Sequence, residues 1–106
     1  MVEISPAFAK AQEESKKLLK KPTNEDLLEL YALFKIGNGE DWDKRKKASV
    51  FNLKDKYKEA AWRKVLDEDK PPTPEQAQER YVAKVEELKE DLGWDVNKQP
   101  EAVGAS

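Results

Sequence analysis

The sequence predicts an all-α domain of four helices joined by connections of unequal length, and three observations support this. Apolar residues recur at helical spacing in four separate stretches of the chain. Three of these stretches open with a residue that commonly caps helices: Ser5, Thr23 and Thr73. No stretch shows the strict apolar–polar alternation that is typical of strands. With 106 residues, the chain is long enough for one domain with a modest core.

The first helix is predicted over Ser5–Lys20. Ser5 and Pro6 are an N-cap followed by a first-turn proline. Lysines crowd the end of the segment, where cations suit the helix dipole, and Pro22 closes it. The positions expected to face the core are Phe8, Ala11, Ser15, Leu18 and Leu19.

The second helix, predicted over Asn24–Ile36 and ended by Gly37, contains the most apolar run of the chain. Thr23 and Asp26 have the spacing of a capping box. The apolar arc covers over half of the helix circumference, wider than the roughly 100° needed for one core contact. We therefore expect this helix to meet two apolar partners, namely the core and either a neighbouring helix or a ligand. Its central stripe is Leu27, Leu30, Tyr31 and Phe34, with Leu33 beside it.

A second line on this helix places an apolar group, a phenol and a cation in one row: Leu28, Tyr31 and Lys35. A pocket for an amphiphilic anion would use such a row. From the residues alone, the better interpretation is that Tyr31 is a core aromatic and Lys35 a solvated charge.

The third and fourth helices are predicted over Val50–Val65 and Thr73–Leu92. The intervening segment 37–49 reads as a loop, in which Trp42 is expected to lie on an apolar surface. Alone, Lys54 and Lys58 read as solvated charges of the third helix. Gly93 supplies the stop of the fourth helix, whose core stripe is Ala77, Tyr81, Val85, Leu88 and Leu92. We expect one domain over 1–94 and a disordered tail over 95–106.

Composition argues for binding rather than catalysis. The chain has no histidine and no cysteine, which removes the usual general base and the usual nucleophilic or metal-binding thiolate. The acidic clusters lie in polar loops, where the pKa values of paired carboxylates are not split for acid–base work. A net charge of −2 argues against a dedicated nucleic-acid binder. We expect no cofactor, no metal and no membrane span, and a cytoplasmic protein by default.

Three motifs in order resemble the acyl-CoA-binding protein family over roughly residues 8–94. The segment from Tyr31 to Lys35, YALFK, is similar to the tyrosine–lysine motif of the family's second helix. The segment from Leu53 to Trp62, LKDKYKEAAW, is similar to the lysine- and tryptophan-containing motif of its third helix. The segment from Tyr81 to Leu88, YVAKVEEL, matches the fourth helix.

The resemblance implies an up-down-down-up four-helix bundle that binds, buffers and transports medium- to long-chain acyl-CoA esters without catalysis. It implies a monomer that makes transient contacts with membranes or with enzymes that use acyl-CoA. By position, the implied ligand-binding residues are Tyr31, Lys35 and Lys58 around the 3′-phosphate of CoA, Lys16 and Lys54 as further positive charge, Phe8 and Phe34 as the wall of the nucleotide end, Leu28, Leu53 and Tyr57 along the acyl chain, and Tyr81 from the fourth helix.

The chain departs from the family pattern at several positions. Glu59 stands where the family usually has a tryptophan, Tyr57 where alanine is common, and the loop over 37–49 is rebuilt. These departures raise an alternative, a helical protein-interaction scaffold whose ligand pocket has degenerated. A degenerate pocket is expected to lose at least one of Tyr31, Lys35 and Lys58, and all three are present.

Overall fold

The computed structural model describes residues 2–47 and 51–98, and within them the all-α prediction is confirmed. A short 3-10 helix, Trp42–Lys44, lies in the connection between the second and third α-helices. None of the helices in the described ranges combines the length and the apolar character needed to cross a membrane. The α-helices are α1 (Pro6–Ser15), α2 (Asn24–Gly37), α3 (Leu53–Leu66) and α4 (Pro74–Leu92).

Helix α2 is the central element, because it packs against both α3 and α4, whereas α1 packs against α4. This confirms the expectation that α2 meets two apolar neighbours. The predicted stripe is displaced, however: Tyr31 and Phe34 lie at the border of the core and are only half-buried. The prediction is confirmed at Leu30 and Leu33, which are buried, and the other buried positions of α2 are Ala32, Ile36 and Gly37.

The predicted helix starts are confirmed by their hydrogen bonds. The Thr23 hydroxyl accepts from the Asp26 amide at 3.1 Å, and the Asp26 carboxylate accepts from the Thr23 amide at 3.2 Å. Thr73 and Gln76 repeat this capping box at the start of α4. The Ser5 hydroxyl caps α1 by accepting from the amide of Phe8. Caps of this kind contribute about 1 kcal/mol each, so these helix starts are locally encoded.

The predicted end of the first helix is wrong, because α1 stops at Ser15 rather than Lys20. After this point the chain pairs with the segment that follows α4: the Leu19 amide donates to the Gly93 carbonyl and the Asp95 amide to the Lys17 carbonyl. Leu18 is buried in this short antiparallel bridge with Trp94. A long-range pairing thus overrides the helical preference of the lysine-rich segment.

Helix α2 ends at Gly37, in agreement with the predicted stop; Gly37 is the last helical residue and Asn38 is the C-cap. The positive φ in this region belongs to Gly39, at 73°. Gly37 instead permits a close approach, since a Cβ there would lie 2.9 Å from Cζ of Phe8 and 3.1 Å from Cγ of Gln78. The Gln78 side chain also donates to the Gly37 carbonyl, so α1, α2 and α4 meet at this glycine.

The start of α3 differs from the prediction, whereas the end of α4 agrees with it. Helix α3 begins at Leu53 with Asn52 as its cap, whereas the predicted start, Val50, lies outside the described residues. Beyond α4, Gly93 has a φ of 77° and is the C-cap, which confirms the predicted stop. Asp95 and Lys98 contact the carbonyls of Lys17 and Leu18. The described part of the predicted tail therefore rests on the bundle, and residues 99–106 lie outside the description.

Candidate functional site

Two lysines from different helices converge on one tyrosine at the α2–α3 seam. The ammonium of Lys35, one turn beyond Tyr31 on α2, lies 5.5 Å from the centroid of the Tyr31 ring. The ammonium of Lys58, from α3, lies 5.3 Å from the same centroid. Cations at this range are attracted to the electron-rich face of a phenol. The three residues predicted to surround a phosphate are therefore brought together by the packing of α2 on α3.

The Tyr31 hydroxyl can act as a hydrogen-bond donor at this site. A phenol is protonated at neutral pH at its ordinary pKa, and burial raises the pKa of Tyr31 further, with the nearby Lys35 charge opposing this in part. The hydroxyl can therefore donate to an anionic oxygen that both lysines attract.

The Lys35 ammonium already has one carboxylate partner. It donates to Glu40 at 3.1 Å, an ion pair that joins the end of α2 to the following loop. The same ammonium lies 6.0 Å from the ring of Trp62. An incoming anion would compete with Glu40 for this cation, so Glu40 is part of the site although sequence reasoning did not include it.

A cavity of about 710 Å³ opens beside this group. Tyr31, Lys35 and Trp62 form its inner wall, and the loop residues from Lys44 to Lys47 supply basic side chains at its rim. Glu40, Asp41, Asp55 and Glu59 also line it, so its charge is mixed. The nitrogen of the buried Trp62 ring has no hydrogen-bond partner among the described residues. The cavity thus offers cations to an anionic ligand.

A second cavity, of about 510 Å³, lies on the other side of Tyr31 along the same seam. Leu28, Tyr57, Ala60 and Ala61 contribute apolar surface to it. Leu28 precedes Tyr31 by one helical turn, and Tyr57 adjoins Lys58 in the chain. An apolar groove and a cationic group therefore follow each other along α2 and α3. Leu53, predicted to line the same path, is exposed near the start of α3 and does not line this cavity.

The rebuilt loop forms a small aromatic and ionic cluster against α3. Trp42 packs edge-on against Trp62 with the ring centroids 5.2 Å apart, which confirms that it lies on an apolar surface. The guanidinium of Arg45 stacks 3.7 Å from the Trp42 ring and pairs with Glu59. Glu59, which replaces an aromatic residue of the family pattern, is therefore used to anchor the loop.

The structure separates Phe8 and Tyr81 from the other predicted ligand-binding residues. Both have 0% of their surface exposed, and their rings pack edge-to-face with centroids 5.1 Å apart. In this arrangement neither presents surface to a ligand; they support Phe34, whose ring lies 6.4 and 6.5 Å from theirs. Phe34, on α2, is half-buried and borders both the core and the surface.

The two remaining predicted cations lie at different places. Lys16 is the C-cap of α1 and pairs weakly with Glu13, whereas Lys54 is exposed in the first turn of α3. Lys54 is thus on the helix that carries Lys58, and Lys16 belongs to the α1–α4 side of the molecule. Within 2–47 and 51–98, no group of three or more acidic side chains is arranged to hold a metal ion.

Proteins of known identity resemble this chain over most of its length. The family model described as acyl CoA binding protein matches residues 5–85. The acyl-CoA-binding protein of Saccharomyces cerevisiae is 38% identical over 80% of this chain and 92% of its own length. Acyl-CoA-binding protein homolog 1 of Caenorhabditis elegans is 44% identical over 77% of this chain and 90% of its own.

A solved structure extends the likeness to the fold. The crystal structure of Oryza sativa acyl-CoA-binding protein 2 superposes with a TM-score of 0.70 at 32% identity, covering 84% of this chain and 93% of the rice chain. The family match spans most of the described helices, including the residues at the α2–α3 seam. The chain belongs to the acyl-CoA-binding protein family, whose members bind their ligand without catalysing a reaction.

Proposed function

We propose that this protein buffers and carries medium- to long-chain acyl-CoA esters, using the α2–α3 seam as its binding site. The observation that carries the proposal is the convergence of Lys35 and Lys58 on Tyr31. Three donors from two helices suit the terminal phosphate of a nucleotide, because charge-assisted bonds from several directions are strong and selective. The ribose phosphate of CoA is the group assigned to them.

The acyl chain is assigned to the apolar cavity lined by Leu28 and Tyr57, and the exposed Leu53, one helical turn before Tyr57 on α3, is assigned to the same path outside that cavity. Burying a methylene contributes about 0.8 kcal/mol, so a chain of some fourteen methylenes contributes on the order of 10 kcal/mol before ordering costs. Each charge-assisted bond to the head group adds roughly 1.5–3 kcal/mol. Chain burial accordingly sets most of the affinity, and the cationic group sets the choice of CoA ester over free acid.

Phe34 and Lys54 complete the proposed site at the seam, and Lys16 contributes from the α1–α4 side of the molecule. Phe34 walls the nucleotide end, and the two lysines add positive potential for the phosphates. Phe8 and Tyr81 position Phe34 from within the core. The side chain of Tyr57, larger than the alanine common in the family, narrows the path of the acyl chain and favours medium over very long chains. The carrier acts as a monomer in the cytoplasm.

The proposal is tested by titrating the protein with palmitoyl-CoA in a calorimeter, with CoA and palmitate as separate controls. We expect one-to-one binding of the ester and much weaker binding of either part, because each part leaves half of the site unfilled. Octanoyl-CoA in a second titration measures the effect of chain length. Absence of ester binding would reject the carrier function and favour the interaction-scaffold alternative.

A further inference from the structure

The apolar cavity between α2 and α3 has a direction, which is set by the order of the residues that line it. Leu28 on α2 and Tyr57 on α3 lie at the end nearest to the cationic group around Tyr31. Along α2 the lining runs back to Glu25, and along α3 it runs on to Val65. The rise from Tyr57 to Val65 is about 12 Å at 1.5 Å per helical residue. The far end of the cavity therefore lies at the start of α2 and the end of α3.

An ion pair between two further elements stands at this far end. Arg80 of α4 and Glu68, just beyond the end of α3, both line the cavity. The two Nη atoms of Arg80 donate to the two carboxylate oxygens of Glu68 at 3.2 and 3.4 Å. Two parallel bonds of this kind fix the relative orientation of the guanidinium and the carboxylate. The other charged residues of the lining belong to the side walls on α2 and α3, and they are Glu25, Glu29 and Lys64.

Arg80 also separates this cavity from a neighbouring one. A cavity of about 400 Å³ adjoins it and is lined by Lys70, Pro72, Gln76, Glu79, Arg80 and Ala83. Arg80 is the only described residue that lines both cavities. Its side chain therefore forms the partition between the proposed acyl path and further open space.

We propose that the Arg80–Glu68 ion pair sets the longest acyl chain that the site can bury. This role rests on the proposed function, because the acyl chain is assigned to the same cavity. Each methylene that reaches apolar surface gains affinity. A methylene pressed against the ion pair removes water from two charged groups and gives no hydrogen bond in return. Affinity should therefore rise with chain length as far as this pair and level off beyond it.

The alternative is that the pair contributes only to the stability of the fold. The side chains of Arg80 and Glu68 are 42% and 40% exposed, and ion pairs with this exposure contribute little because water screens them. A purely stabilising role predicts no dependence on the length of the acyl chain, so the two roles differ in a measurable quantity. The small contribution to stability also allows either residue to be replaced without loss of the fold.

The test is the dependence of affinity on acyl-chain length. Octanoyl-, dodecanoyl-, palmitoyl- and eicosanoyl-CoA are titrated by competition, at concentrations at which the esters stay monomeric. For the wild type, each two added methylenes should tighten binding roughly tenfold while they are buried, and a plateau should follow.

Arg80→Ala removes the partition, and Glu68→Ala releases the Arg80 side chain from it. Both variants should move the plateau to longer chains and bind eicosanoyl-CoA at least roughly tenfold more tightly than the wild type. Octanoyl-CoA should bind to all three proteins alike, because its chain ends before the ion pair. This equality also shows that the fold and the cationic group are intact.

The matched controls break a neighbouring ion pair of the same type. Arg63 pairs with Asp67 at 2.7 Å at the end of α3, and both side chains are exposed. Neither residue lines a described cavity. Arg63→Ala and Asp67→Ala therefore repeat the two changes of charge outside the acyl path, and both should keep the wild-type dependence on chain length.

Three results would overturn the proposal. The first is a wild-type affinity that keeps rising through eicosanoyl-CoA without a plateau. The second is a wild-type profile in both Arg80→Ala and Glu68→Ala. The third is an equal shift in the Arg63→Ala and Asp67→Ala controls, which would show an effect of charge alone. In all three the protein still binds esters, whereas a wild type that binds no ester of any length would reject the proposed function itself.

Discussion

Two tyrosines with the same chemistry lie in opposite surroundings on the two sides of this bundle. Tyr81, at the α1–α4 seam, is fully buried, packs edge-on against Phe8 and places its hydroxyl 3.4 Å from that of Ser15. Tyr31, at the α2–α3 seam, is half-buried and has two ammonium groups near its ring. Burial is the main cause that raises the pKa of each.

The charged groups on the two sides differ in the same way. At the α1–α4 seam the buried Glu14 receives a 2.8 Å bond from Lys89, whose ammonium also lies 4.4 Å from the Trp94 ring. At the α2–α3 seam Lys35 is paired with the exposed Glu40 of a loop. Charges that are fixed by buried partners build the fold, and charges whose partners are exposed can be taken over by a ligand.

The largest expected effect concerns the α1–α4 seam. Phe8→Ala should lower the free energy of unfolding by about 3–5 kcal/mol, because it removes a ring that is packed by Tyr81 and Phe34. Denaturant titration measures this. A loss of acyl-CoA affinity with little loss of stability would contradict the assignment of Phe8 to the core and would place it in direct contact with the ligand.

The next largest effect concerns the α2–α3 seam. Tyr31→Phe and Lys35→Ala should each weaken acyl-CoA binding about tenfold or more while leaving stability nearly unchanged, because each removes a bond to a charged group of the ligand. Calorimetric titration measures the affinities.

Tyr81→Phe is the matched control for this pair. It should cost about 1 kcal/mol of stability through loss of the Ser15 contact and leave affinity unchanged. If Tyr31→Phe and Lys35→Ala both bind normally, the proposed site is wrong.

A smaller effect concerns the contact between α2 and α4, which connects the α1–α4 seam with the α2–α3 seam. Lys84 donates to Asp26 at 2.8 Å, and this bond is the main cause that lowers the pKa of Asp26. A carboxylate whose folded-state pKa is lowered stabilises the fold above its unfolded pKa of about 4, and this contribution is lost as the pH falls through the folded-state value.

As the pH falls through about 4, the wild type should therefore lose roughly 1 kcal/mol more of its free energy of unfolding than Asp26→Asn, because the variant has no carboxylate to protonate at this position. The amide oxygen preserves the cap on Thr23, so the substitution isolates the charge. Thermal unfolding of both proteins as a function of pH measures the difference. Parallel profiles for wild type and variant would show that the ion pair adds nothing.

The smallest effect is a gain of affinity. Glu40→Gln removes the carboxylate that pairs with Lys35, and exposed pairs of this kind are worth about 0.2–1 kcal/mol. Acyl-CoA binding should tighten by at most about fivefold. Glu75→Gln, which removes one exposed negative charge from the start of α4, controls for net charge. Equal gains in both variants would show a general charge effect in place of competition at Lys35.

The sequence predicted best what is decided locally. The caps at Ser5, Thr23 and Thr73 and the stop at Gly93 depend on neighbouring residues, and all are confirmed. The core stripe of α4 is confirmed at Ala77, Tyr81, Val85 and Leu88, because a regular helical spacing already defines its buried face, and Leu92 is partly buried against the core.

The errors arose where distant segments meet. Nothing near Lys16 or Leu18 indicates that this segment leaves the helix to pair with Trp94, and nothing near Gln78 indicates that its amide is buried against the carbonyls of Glu3 and Gly37. For the site, the grouping of Tyr31, Lys35 and Lys58 came from a resemblance and not from spacing. The pairing of Lys35 with Glu40 depends on a loop conformation that no local pattern encodes.

The close contact at Gly37 also limits the order in which substitutions can accumulate. An alanine at this position alone would press its methyl against the Phe8 ring, which Tyr81 holds in place. A smaller residue at position 8 alone would leave a void. Each change is harmful by itself, whereas together they exchange volume between α1 and α2. The two positions are therefore expected to be epistatic, and relatives with a side chain at position 37 should carry a smaller residue at position 8.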